Sequence, residues 1–312
     1  MDLMKVARIA VTQCLAVKRG ERVAIIADTK RMKFAAAFER ACAELGAQPE
    51  IVRIPESGMH GAEPPAFAAA AMKQADVFIA PTTWSITHTK ARQAASATGA
   101  RGATLPGVTA AMFGGPMTAD YKKIAALCRK MNAWVKRTKS VRITSPSGTK
   151  VAFSIAGRRF EEDNGLYRKP GQFGNLPAGE VFGAPVEGSG EGVIVFDSMG
   201  DVITRPGAIT VRKGRATGFD RNAGKFKQML EDAGPGANVI AEFGIGCNPK
   251  AKLSGNVLED EKVFGTVHIA FGNNTSMPGG KNYAKIHMDG IILKPDVWLG
   301  RKKVIGAGRW LI

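Results

Sequence analysis

The pattern that most constrains this chain is the alternation of its first ~140 residues between short β-branched runs and alanine-rich stretches of helical length. RVAIIAD (22–28) reads as a strand, Lys33 to Leu45 as a helix closed by Gly46, and EIVRI as a second strand. A helix within Pro65 to Lys73, the strand DVFIAP (76–81), a polar alanine segment from Thr89 to Ala97 and the short RGATLPG continue the series. Strands separated by helices of this length must pair in parallel, so this half is expected to be an open, mostly parallel α/β sheet. No GxGxxG follows its first strand and no GxxxxGK[ST] occurs, so a dinucleotide or P-loop site has no support and this half reads as scaffold.

Beyond residue 138 the texture changes. SVRITSPSGTKVAFSIAG (140–157) is a pair of alternating strands about a Ser-Pro-Ser-Gly turn, and it opens a region richer in glycine and strand pairs. Further strands are expected at GVIVFD, DVITRPGAITVRKGRATG, NVIAEFGIG, GTVHIAFG and KIHMDGIIL, with one helix around Asn222 to Asp232. The expected organisation is an α/β scaffold domain over 1–138 and a mixed, largely antiparallel α+β domain over 139–312. The Gly- and Pro-rich stretch from Gly171 to Gly190 has no clear period and suits an ordered loop around a site.

Net charge is +17, and it is local: residues 101–150 hold ten basic residues against the single acid Asp120. Lys122, Lys123, Arg129, Lys130, Lys136 and Arg137 alternate with Ile124, Leu127, Met131 and Trp134 at helical spacing, which describes an amphipathic helix with a basic, solvated face. No nucleic-acid motif accompanies it, so no nucleic-acid partner is expected. Four scattered cysteines without a CxxC pair read as buried thiols of a reducing compartment. No apolar run reaches membrane-span length and the start lacks a signal-peptide pattern, so the expectation is a cytoplasmic protein without a membrane partner.

The chemistry concentrates in the second half. His60 and His88 lie in turn-like segments, whereas His268 and His287 lie in strand-like runs. Residues i and i+2 of a strand share a face, so His287 and Asp289 project together and can hold one cation. Glu242 stands in an otherwise apolar strand, where an ionised carboxylate needs a cation, a strong donor, or a pairing with one of the chain's many Lys and Arg residues. Glu180 stands at a Gly-flexed turn. Two Glu, two His and one Asp form an N/O set able to hold two divalent ions, or one ion with open positions. Without G-x-S-x-G, and with no histidine placed near Cys247, a covalent nucleophile has no motif.

Four blocks, NLPAGEVFGAPVEGSGEG, AEFGIGCNP, GTVHIAFG and KIHMDGIIL, resemble the aminopeptidase T and aminopeptidase S metallopeptidases. The resemblance implies an N-terminal α/β domain, a C-terminal two-metal domain, a homodimer, and metal ligands at Glu180, Glu242, His268, His287 and Asp289. It implies a hydrolase using two divalent ions (Zn, Co or Mn) to activate water against a small peptide or related amide, with Glu180 as catalytic proton shuttle. Two departures stand out: the family's functional tyrosine falls at Thr275, for which Tyr283 is a nearby substitute at the substrate, and a family acid falls at Val263, with Glu261 two residues back. The second half also resembles the 2,5-dihydroxypyridine dioxygenases, through NNTSMPGGK ahead of H-x-D. That resemblance implies a ring-cleaving dioxygenase with a single iron on His287, Asp289 and a third group, Glu242 standing where those enzymes have histidine.

Overall fold

A computed structural model describes residues 2–312. The chain divides into two compact units, one comprising the residues up to Ala125 with Asn164–Ala178, the other Ala126–Asp163 with Gly179–Ile312. This division differs from a single boundary near 138: it falls inside the helix Tyr121–Val135, and the segment 164–178 returns to the first unit.

The first unit holds a five-stranded parallel sheet in the order Gln48–Arg53, Arg22–Ala27, Val77–Ala80, Arg101–Thr104, Phe173–Asn175. Two of its inner strands, Arg22–Ala27 and Val77–Ala80, are near-continuous apolar runs because both faces are covered, as parallel sheets require. The helix Met32–Glu44 presents Phe34, Phe38, Ala41 and Cys42 as one buried stripe. The last strand lies in the stretch that lacks a period in sequence. Side chains hold it: Asn175 Oδ1 accepts from Thr104 Oγ1 at 2.6 Å, Tyr167 Oη donates to the Asn175 carbonyl at 2.8 Å, and the Arg92 guanidinium lies 3.4 Å from the Phe173 ring centroid.

The second unit has two antiparallel sheets. One has eight strands, including the hairpin Ser140–Thr144 with Lys150–Ser154 and the three C-terminal strands Asp296–Leu299, Lys302–Gly306 and Arg309–Trp310. The other has five, in the order His287–Ile292, Val267–Gly272, Ile240–Gly246, Glu180–Gly183, Glu161–Asp163. Its register sorts the side chains into two kinds of face. Phe243, Ile245, Val267, Ile269 and Phe271 alternate onto one face and are fully buried; Phe243 meets Phe153 edge-on at 5.3 Å and Phe271 meets Phe226 at 5.7 Å. The other face carries acids, histidines and glycines.

On the helix Tyr121–Val135, Lys122, Lys123, Arg129 and Lys130 are exposed while Ile124, Cys128 and Met131 are buried, the amphipathic arrangement expected from the spacing. All four cysteines are buried, and none of them forms a disulfide among the described residues. Among the described residues, no helix is long and apolar enough to cross a membrane.

Candidate metal centre

The polar face is assembled by register. Gly246 pairs with Glu180 and Glu180 with Asp163; Gly244 pairs with His268; Glu242 and Asp289 both pair with Ala270; His287 pairs with Gly272. Directly paired residues point to the same side of an antiparallel sheet, so five strands deliver their acids and imidazoles to one face. A β-bulge between Ile240 and Glu242 makes this possible. Ile240 pairs with Phe271 of the apolar face, and the extra residue Ala241 changes the phase so that Glu242 comes out on the polar side. Small residues then leave room: a Cβ on Gly244 would lie 1.9 Å from His268 Nε2, and one on Gly246 would lie 2.0 Å from the Val263 carbonyl oxygen.

Five side chains singled out from the sequence come together. His268 Nε2 lies 3.2 Å from Glu180 Oε2 and 3.3 Å from Glu242 Oε1; His287 Nε2 lies 3.1 Å from Glu242 Oε2 and 3.5 Å from Asp289 Oδ2. Glu242 therefore bridges two histidines, and among the described residues no Lys or Arg ion pair accounts for it. Donor atoms of Glu242, His287 and Asp289 lie close enough together to share one ion, as do those of Glu180, Glu261 and His268. His268 is fully buried, Glu180 and Glu242 nearly so, and the His287 side chain is 31% exposed, which leaves the open side of the face at Glu242, His287 and Asp289. The Asn273 carbonyl lies 2.7 Å from His287 Nδ1, which assigns the proton to Nδ1 and turns Nε2 toward the carboxylates.

Lys262 is the residue that motif reasoning missed. Its side chain is 1% exposed, and its ammonium bonds Glu180 Oε1 at 2.8 Å, bonds Glu261 Oε1, and lies 3.8 Å from Asp163 Oδ2. Glu261 itself enters the site from two residues behind the position of the family acid. Tyr283, in contrast, is 73% exposed, and among the described residues no hydrogen bond joins its hydroxyl to the cluster. Thr275 is exposed and bonds Asn273 Oδ1 through its amide and hydroxyl, so no phenol stands at that position.

Electrostatics follow from crowding charges in a dry place. Burial pushes the Glu180 carboxyl up, but Lys262 and His268 more than offset this and hold it below the usual carboxylate range. Burial likewise opposes ionisation of Asp289, yet the His287 imidazole brings it down to about 2. Glu261 is pushed up to about 8, by burial first, with Glu180 and Asp289 adding to it against the pull of Lys262. Burial works against charge on both imidazoles, but Glu180 and Glu242 around His268, and Asp289 and Glu242 around His287, raise both well above the ordinary value. Burial pushes the Cys247 thiol well up, so it is no nucleophile.

A pH dependence follows. An imidazole must lose its proton from the binding nitrogen before it can hold a metal, and the carboxylates around His268 and His287 favour the protonated form in the metal-free protein. Metal affinity should therefore rise with pH through the neutral range, by about tenfold per unit for each proton displaced. Titration calorimetry in buffers of different ionisation enthalpy measures the protons released; affinity independent of pH would contradict the charged imidazoles.

With this geometry in hand, comparison with known proteins assigns the lineage. The family model described as 2,5-dihydroxypyridine 5,6-dioxygenase (NicX) matches residues 2–311. The chain belongs to this family. A curated relative, the 2,5-dihydroxypyridine 5,6-dioxygenase of Pseudomonas putida KT2440, is 25% identical over 224 residues, 65% of this chain and 61% of the relative's own length. The solved structure of the 2,5-dihydroxypyridine dioxygenase from Pseudomonas putida KT2440 superposes with a TM-score of 0.81 at 20% identity, covering 99% of this chain and 96% of that one. Wild-type AmpT from Thermus thermophilus superposes with 0.74 at 17% identity, covering 99% of each chain. Both groups that the motifs resemble thus share this fold, a parallel α/β sheet followed by antiparallel sheets, and the family match falls on the dioxygenase side.

Proposed function

We propose that this NicX-family chain is a mononuclear metal enzyme that opens a dihydroxylated pyridine or similar aromatic ring with dioxygen. The observation that carries the proposal is that, of the two three-ligand groups, the one of Glu242, His287 and Asp289 lies on the open side of the site. One nitrogen and two carboxylate donors on one face suit iron or manganese and leave coordination positions free. A redox-active ion held there would supply the means of bringing an aromatic diol and dioxygen together.

The chain's own residues do the rest. The Asn273 carbonyl fixes the His287 tautomer, so the imidazole presents Nε2 without reorganising. The bulge before Glu242 aims one carboxylate oxygen at His287 and the other at His268. His268, fully buried, points Nε2 at both Glu180 and Glu242 and so holds the Glu242 carboxylate in place behind the three-ligand group.

A second function, two-metal hydrolysis of an amide with Glu180 as proton shuttle, is favoured by one observation: Glu180, Glu242, His268, His287 and Asp289 form a complete N/O set. His268→Ala and Glu180→Gln separate the two. In the dioxygenase these residues support the metal group without belonging to it, so both variants should keep one iron per chain and consume oxygen with a dihydroxypyridine at a rate reduced roughly 10- to 100-fold. If both instead lose metal and abolish an amide-cleaving activity of the parent protein, the hydrolase account replaces this one.

A further inference from the structure

We propose that Lys262 takes the place of a second divalent ion, so that this chain builds a one-metal centre in a frame whose side chains could hold two. The inference rests on the metal position proposed at Glu242, His287 and Asp289, and concerns the neighbouring group of Glu180, Glu261 and His268. Two carboxylates of that second group already have a cation. The Lys262 ammonium bonds Glu180 Oε1 at 2.8 Å and Glu261 Oε1, with Asp163 Oδ2 at 3.8 Å, so three N–H donors face three carboxylates.

The ammonium cannot easily withdraw. Its side chain is 1% exposed, and the backbone that carries it is pinned on both sides: the Lys262 amide donates to the Glu259 carbonyl at 3.0 Å, and the Lys262 carbonyl accepts from the Asn248 amide at 2.9 Å. The short helix Val257–Asp260 just before it is capped by Asn256, whose side chain accepts from the Leu258 amide. Leaving the site would strand buried carboxylates without a counter-charge, the costly half of breaking a buried ion pair. An ion entering beside it would compete for Glu180 Oε1 and Glu261 Oε1 and would face a like charge a few ångströms away in a poorly screened interior. Lys262 touches no open side of the face, so it acts as a positioning residue and a fixed charge.

Mn²⁺ alone is the probe. The metal-free full chain is loaded with excess Mn²⁺ and freed of unbound ion; Mn is then counted per chain by elemental analysis, with electron paramagnetic resonance distinguishing an isolated ion from a coupled pair. The wild type should hold one isolated ion. Lys262→Met, which removes the charge and keeps the stem, should hold two coupled ions, and Lys262→Gln serves where the Met variant does not fold. Glu180→Gln, which leaves Glu242, His287 and Asp289 intact, should still hold one, a result that does not require either lysine variant to fold. Two ions in the wild type, or a folded Lys262 variant that holds only one, would overturn the role of Lys262 while leaving the metal centre standing. A wild type that binds no Mn²⁺ would remove the metal centre itself, and this proposal with it.

Discussion

Glu242→Gln is expected to remove tight metal binding and with it all turnover, while the chain stays folded. Glu242 spans the two histidines, with Oε1 3.3 Å from His268 Nε2 and Oε2 3.1 Å from His287 Nε2, so its loss disturbs both halves of the site. The amide has nearly the same shape and can still hydrogen-bond, but it has lost the charge that makes a carboxylate a ligand for a divalent ion. Partners that merely orient a ligand cost roughly 10- to 100-fold in metal affinity when mutated, so loss of a direct ligand should exceed about 100-fold. Asp289→Ala should behave alike, since Asp289 shares the face and is held ionised beside His287. Elemental analysis after gel filtration, with circular dichroism as a check on folding, measures both variants. Retention of a full equivalent of metal by either would show that the ion binds elsewhere.

Gly244→Ala should damage the site from beneath. Gly244 pairs with His268, and the imidazole lies across it: a new Cβ would fall 1.9 Å from Nε2 and 2.1 Å from Cε1. The ring is fully buried and rigid, so it must tilt or the strands must part. Overpacking of this kind costs about 1–3 kcal/mol, and a displaced imidazole also misaligns Glu180 and Glu242. The expected result is a lower melting temperature together with at least about tenfold weaker metal binding. Gly224→Ala is the control, because a Cβ there meets nothing within 4 Å and the residue opens a helix. Its stability should be unchanged or slightly higher, in line with helix propensity. Equal effects of the two alanines would dissociate Gly244 from the site.

Much of this was legible in the sequence because strands and amphipathic helices repeat with short periods. RVAIIAD, the helix from Lys33 and the hairpin about Ser145 to Gly148 are local patterns, and so is the H-x-D pair of His287 and Asp289. Glu180, Glu242 and His268 stood out as polar groups in strand-like or Gly-flexed runs, and the family blocks joined them to that pair. What stayed hidden depends on contacts distant in sequence. Phe173–Asn175 is three residues long and becomes a strand only because Thr104, Tyr167 and Arg92 hold it against the parallel sheet. The bulge at Ala241 leaves no mark in composition, although it decides which face Glu242 takes. Glu261 and Lys262 belong to the run EDEK, which as a local pattern describes a solvated surface; the Asn248–Val263 bridge turns it inward. The strand Asp296–Leu299 likewise gains its definition from pairing with Ser140–Thr144, and the last two strands add to its other edge.

The proposed oxygen chemistry rests on the family match and the open three-ligand group, and one measurement tests it most directly. Full-length protein reconstituted anaerobically with Fe²⁺ is mixed with 2,5-dihydroxypyridine in an oxygen electrode while ring absorbance is followed. The account predicts that one molecule of dioxygen disappears per ring opened, and that Asp289→Ala abolishes both signals. Absence of oxygen uptake with any dihydroxylated pyridine or catechol, together with amide cleavage by the Zn-, Mn- or Co-loaded chain, would contradict it.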